Sequence, residues 1–209
     1  MTWREKDRLI RRYLLPAFPD YGVSRGIMYA QPLEWVLRGL CLGSSRTPNA
    51  VCAYVFVMPL YVPSTVVSLQ NADEIGYEYI TPENEAEAMS RILEAMRRNM
   101  AIITRYDSPA AIARRLLWPL PRYLLATEYE KQAVHYAQIL TGQYLKARLG
   151  LRIVRAAIAL RVRLNGGPDW LEEAARVEQL IGALRSDPRR ALALLEEWTA
   201  FTKKSLHLP

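Results

Sequence analysis

Few residues in this 209-residue chain are of a kind that does chemistry, and their spacing restricts what that chemistry could be. There are two histidines, His135 and His207, and two cysteines, Cys41 and Cys52. A zinc site needs several Cys, His or acidic ligands converging on one point, with characteristic close spacing in sequence. Neither histidine has such a neighbour, and the cysteines do not form a C-x-x-C pair. His135 could act as a base only if folding brought a serine or cysteine beside it. Flanked by Ala133, Val134 and Tyr136, it reads instead as a structural residue of a helix. Glu74 and Glu78 are four apart and could share a cation, but Gly76 interrupts any helix there and puts them in a turn or edge beside solvent. No G-x-G-x-x-G, G-x-x-x-x-G-K-[ST] or G-x-S-x-G run occurs, so nucleotide cradles and a nucleophile elbow are unsupported. The expectation is a protein with no catalytic, metal or cofactor residues. An enzyme whose site assembles from dispersed residues is the third-ranked reading.

The strongest candidate site is a basic stripe. Arg148, Arg152, Arg155 and Arg163 recur at intervals of four, three and eight, which places them on one side of a helix. Leu149, Ile153, Ala156, Leu160 and Leu164 line a neighbouring side, expected to be core. The arginines then either meet phosphates or an acidic partner, or pair with Glu172, Glu173 and Glu178 of the next helix. No aromatic residue is interleaved among them, so base stacking is not indicated.

The net charge of +7 is unevenly spread. Asn71–Ser90 holds six acids and no base, whereas Arg122–Arg163 holds eight bases against two acids. An acidic patch around Glu83–Glu87 could therefore dock the basic stripe of a second copy or of another protein. Only five of the 28 bases are lysine, so arginine abundance alone says little about phosphate. The first fifteen residues carry charges throughout with no apolar h-region, which argues against a secretory leader, and with two cysteines the expected compartment is a reducing cytoplasm. The two thiols are expected to be buried and free, although a hairpin closing on Leu42 and Val51 would set them opposite each other.

These residues must be positioned by an α+β arrangement. Thr2 and Glu5 form a capping box for a helix over residues 3–15, stopped by Pro16. Residues 16–26 read as a loop rich in Pro and Gly. Strands are expected near Gly26–Gln31, Glu34–Leu42, Val51–Leu60 and Thr65–Gln70, with short connections that dictate an antiparallel meander of three to five strands. Thr81-Pro82-Glu83 starts a long helix to about Tyr106, packed on the sheet, and Asp107-Ser108-Pro109 a shorter one to about Leu117. "WPLPRY" breaks the chain and marks a domain boundary near residue 120. Everything beyond is helical, over Glu128–Thr141, Gln143–Leu164, Pro168–Leu184 and Pro188–Ser205. No charge occurs between Arg46 and Asp73, yet Pro59, Pro63 and the β-branched content make that run a doubly covered strand rather than a membrane helix.

Two segments carry resemblances. Gly142-x-Tyr144-x-x-Ala147 resembles the turn between the helices of a tetratricopeptide repeat, over about one repeat and with no second copy. Tyr54–Ser64, "YVFVMPLYVPS", is similar to a strand ending in a group of uncharacterised bacterial α+β proteins. Some of these look like accessory or immunity-type proteins, and the resemblance transfers no functional residue. The expected function is a non-catalytic protein–protein interaction module, its partner another protein or a second copy. The alternative is nucleic-acid binding through Arg148, Arg152, Arg155 and Arg163, and no membrane is expected.

Overall fold

A computed structural model describes residues 1–117 and 126–209. "WPLPRY" and the boundary near residue 120 lie outside the described residues. The fold is α+β, with an N-terminal helix, a five-stranded antiparallel meander and a helical C-terminal half. The chain forms two compact units. One comprises Met1–Met58, Ser64–Asp107 and Lys203–Pro209, the other Pro59–Pro63 and Ser108–Thr202.

The sheet unit starts with α1 (Trp3–Leu9), capped as its sequence demands, with Thr2 accepting from the Glu5 amide and Glu5 accepting from the Thr2 amide. The helix then widens into a π turn over Ile10–Leu14, closed by the Leu15 N–H donating to the Ile10 carbonyl, and a short 3-10 turn ends it around Pro16. Strands β1 (Tyr21–Ser24), β2 (Ile27–Ala30), β3 (Val36–Ser44), β4 (Ala50–Pro59) and β5 (Ala72–Tyr79) follow in sheet order β1-β2-β3-β4-β5. Helix α2 (Glu85–Arg105) closes the unit.

The Ala50–Pro59 part of the uncharged run is β4, and among the described residues no helix is long and apolar enough to cross a membrane. Val51, Ala53 and Val55 join Met28, Leu40 and Leu42 in a core sealed by Leu9, Ile10 and Leu14 and by Ala88, Met89, Ile92 and Met96 of α2. Gly39 is required here. A Cβ at that position would fall 1.9 Å from the Met28 carbonyl oxygen of the adjacent strand. The C-terminal segment belongs to this unit too, with Lys203 donating to the Leu33 carbonyl, Ser24 to the His207 carbonyl, and Leu206 and Leu208 buried.

Two strand expectations are corrected. Thr65–Gln70 is not a strand, because Ser64 holds the chain in a local turn, its hydroxyl donating to the Val66 carbonyl and accepting from the Val66 amide. The fifth strand lies instead at Ala72–Tyr79, in a segment whose acids mask its pattern because an edge strand needs apolar cover on one side only. Residues 21–24, expected as loop, form β1. The hairpin to β2 turns through Arg25 and Gly26, both at positive φ (51° and 79°), the geometry that matches strand twist in a two-residue loop. The Asp7 carboxylate accepts from both of their amides and stabilises the left-handed Arg25. Helix α2 begins three residues after Pro82, since Asn84 takes the N-cap place and its side chain accepts from the Thr81 amide.

The helical unit contains α3 (Pro109–Leu117), α4 (Glu128–Leu140), α5 (Tyr144–Asn165), α6 (Pro168–Ser186) and most of α7 (Pro188–Ser205). Thr127 and Glu130 form the expected capping box at the start of α4. Gly142, at φ +75°, turns α4 into α5, and Ala147 is fully buried where the two helices meet. Every residue from Gln132 to Ile139 is buried, so α4 is the central helix of the unit, with α3 and α5 beside it and α6 beside α5. Tyr136 of α4 meets Trp198 of α7 with ring centroids 5.6 Å apart.

Candidate docking face on helix α5

Helix α5 is the most basic element of the protein. Its 22 residues contain Lys146, Arg148, Arg152, Arg155, Arg161 and Arg163, and no acid. It carries two apolar seams, each with intervals of four, three and four. Ala147, Leu151, Val154 and Ile158 form one, and all four are fully buried. Leu149, Ile153, Ala156 and Leu160 form the other, extended by Leu145 and Leu164. At 3.6 residues per turn the two seams lie on opposite sides of the helix.

The second seam was the expected core, and it is exposed. Leu149, Ile153 and Leu160 are each 56% accessible, Leu164 68% and Leu145 72%, while Ala156 is also open. The physical reason is the approach of α4. The His135 imidazole lies directly on the Gly150 backbone, where a Cβ would come within 1.9 Å of the ring. Only a helix presenting Gly150 and Ala147 allows that approach, so α5 turns this side inward.

Arg148, Arg152, Arg155 and Arg163 are all exposed and lie along the bare seam. Arg155 pairs with Glu178 of α6 at 3.5 Å, which fixes the basic line on the α6 side of the seam. On the side nearer α4, Arg161 pairs with Glu128 at 3.1 Å and Lys146 donates to Gln143. The other acids expected to pair with the stripe are engaged elsewhere. Glu172 accepts from Arg176, and Glu173 accepts from Gln132. Among the described residues, Arg148, Arg152 and Arg163 form no ion pair within 4.0 Å.

The remaining candidates are distributed as follows. His135 is buried, and its Nδ1 lies 2.9 Å from Gln138 Oε1. Burial pushes its pKa down, partly opposed by that hydrogen bond, so the neutral ring is favoured. On the same helix, Tyr136 donates to Gln132 and Gln132 donates to Glu173. Burial raises the Glu173 pKa, and the Gln132 hydrogen bond opposes it. Such a network satisfies the polar groups of a fully buried helix. His207 lies in the C-terminal segment, exposed and at positive φ. Glu74 and Glu78 sit on the edge strand β5, and Glu78 forms a two-oxygen pair with Arg91. Cys41 and Cys52 are free, half-buried thiols, and burial pushes Cys41 up. Among the described residues, no three His, Cys, Asp or Glu side chains are grouped to hold a metal ion. Searches against protein-family models, curated proteins and solved structures found no match to this chain.

Proposed function

We propose that this is a non-catalytic protein-interaction protein, of the accessory or immunity-subunit kind, whose docking surface is the outward seam of α5. One observation carries the reading. Five large aliphatic side chains stand in water along one helix, beside three guanidinium groups without an ion-pair partner among the described residues. Scattered exposed leucines are ordinary, but a contiguous apolar strip with a charged rim is the composition of a contact surface. Nucleic acid would satisfy the arginines and leave the aliphatic strip uncovered, so a protein partner suits the whole face better.

The test is site-specific photo-cross-linking in the cell of origin, with the reactive residue at Ile153 or Leu160 and a control at the exposed Arg190 of α7. The expected result is the same protein captured at both seam positions and not at the control. Ile153→Glu with Leu160→Glu should then abolish capture while leaving the thermal melt unchanged. Seam positions that cross-link no more than the control would overturn the proposal.

A further inference from the structure

We infer that the occupant of the α5 face is an acidic amphipathic helix of a partner protein, packed along the seam with its carboxylates on the α6 side. This rests on the reading of α5 as a docking surface and names the partner's chemistry.

Three observations point to a helix of that charge. First, the exposed seam is narrow, and the four-three-four interval of Leu149, Ile153, Ala156 and Leu160 is the heptad spacing that receives the knobs of a single facing helix. From Leu145 to Leu164 it runs about 28 Å at 1.5 Å per residue, enough for roughly three heptads. Second, three of the four open cations beside the seam lie on one flank. Arg148, Arg152 and Arg163 await carboxylates there, while on the other flank Arg161 is already taken by Glu128 and Lys146 donates to Gln143. A facing helix meets such a flank with its own e or g positions, where acids would select it and set its orientation. Third, other occupants fit less well. A second copy of α5 brings no acid of its own, and antiparallel pairing would set its arginine line against the first. Half of the acids in the acidic segment of a second copy are consumed internally. Glu85 holds Arg8 and Arg12, and Arg91 holds Glu78 and Glu87. A lipid surface would be met by interfacial aromatics, whereas this seam has no Phe, Tyr or Trp between Leu145 and Leu164.

The probe is a labelled three-heptad peptide with Leu at the a and d positions and Glu at e and g, mixed with the full chain and read by fluorescence anisotropy. The control peptide carries Lys in place of Glu. The Glu peptide should bind at least about tenfold tighter at ~0.05 M salt, with the gap narrowing at ~0.5 M as screening shortens the reach of charge. Arg148→Glu with Arg152→Glu should erase the preference, and Ile153→Glu with Leu160→Glu should remove binding of both peptides. These sites are exposed, so circular dichroism should show an unchanged fold. Equal binding of the two peptides, or none of the Glu peptide, overturns the inference. So does seam-dependent binding to phosphatidylglycerol vesicles, or a seam-dependent dimer in light scattering. A protein cross-linked at Ile153 through a segment that is not an acidic helix would sink this inference while leaving the interaction reading intact. Absence of any seam-specific cross-link would sink that reading instead.

Discussion

The two seams of α5 use the same residue types at the same intervals and meet opposite fates. Ala147, Leu151, Val154 and Ile158 are sealed against neighbouring helices, while Leu149, Ile153, Ala156 and Leu160 face water. Periodicity says that a helix has an apolar stripe, but it does not rank two stripes on one helix. What ranks them is shape. The inward side contains Gly150 and Ala147, which leave room for the His135 ring and the α4 backbone, and the outward side has no equivalent gap. An apolar stripe that loses this contest stays exposed, which is why it is a candidate for another chain.

The most direct way to break the comparison is to truncate one leucine on each side. Leu151→Ala should cost about 2–5 kcal/mol in urea denaturation, the range for a core leucine, and Leu149→Ala should stay within about 0.5 kcal/mol. Equal costs would mean that the outward seam is buried in solution. A smaller effect is expected from filling the gap that sets the inward side. Gly150→Val drives a branched side chain into the His135 ring and should cost about 1–3 kcal/mol. Addition of His135→Ala should recover part of that loss, whereas His135→Ala beside native Gly150 should only destabilise.

A pH titration probes the same contact more gently. His135 is held neutral by burial, so the unfolded chain binds its proton more readily than the folded one. Its contribution is fully present above the unfolded pKa, near 6.5, and falls as the pH drops below it. The urea midpoint should therefore decline between pH 6.5 and 5, and His135→Gln should flatten that part of the profile. A His135 variant with the same slope as the native chain would refute the buried neutral ring. The smallest effect concerns the arginines. Arg148→Glu with Arg152→Glu should leave stability within about 0.5 kcal/mol, since neither holds a partner among the described residues, and a larger loss would reveal an internal role for the stripe.

The charges of the sheet unit make a useful contrast. There Glu85 is ringed by Arg8 and Arg12, and its carboxyl is held below the ordinary range chiefly by the Arg8 hydrogen bond. Arg91 is clamped by Glu78 and Glu87. The acidic run that looked like a docking patch in sequence is thus partly a set of internal clasps, because the fold brings Glu85 to Arg8 and Arg12, far away in the chain, and sets Glu78 of the edge strand and Glu87 against Arg91 of α2. The basic run on α5 has fewer such closures, and it remains the better candidate surface.

Local signals were legible wherever the physics is local. The capping boxes at Thr2 and Thr127, the Pro starts of α6 and α7, the Gly142 turn and the apolar β4 could be read directly, because each depends on a few adjacent residues. Edge strands were not, since β1 and β5 draw their stability from neighbours remote in sequence and need little apolar content of their own. The arginine stripe could be placed on one helix face from spacing alone. Its setting could not, because burial is a property of what packs against a helix, and the approach of α4 is decided by the fit of one imidazole onto one glycine. Sequence by itself determined the α+β class, the limits of the C-terminal helices and the run of cations. Tertiary structure alone decided which leucines are core and which stay exposed, since that choice rests on shape between segments and not on pattern within one.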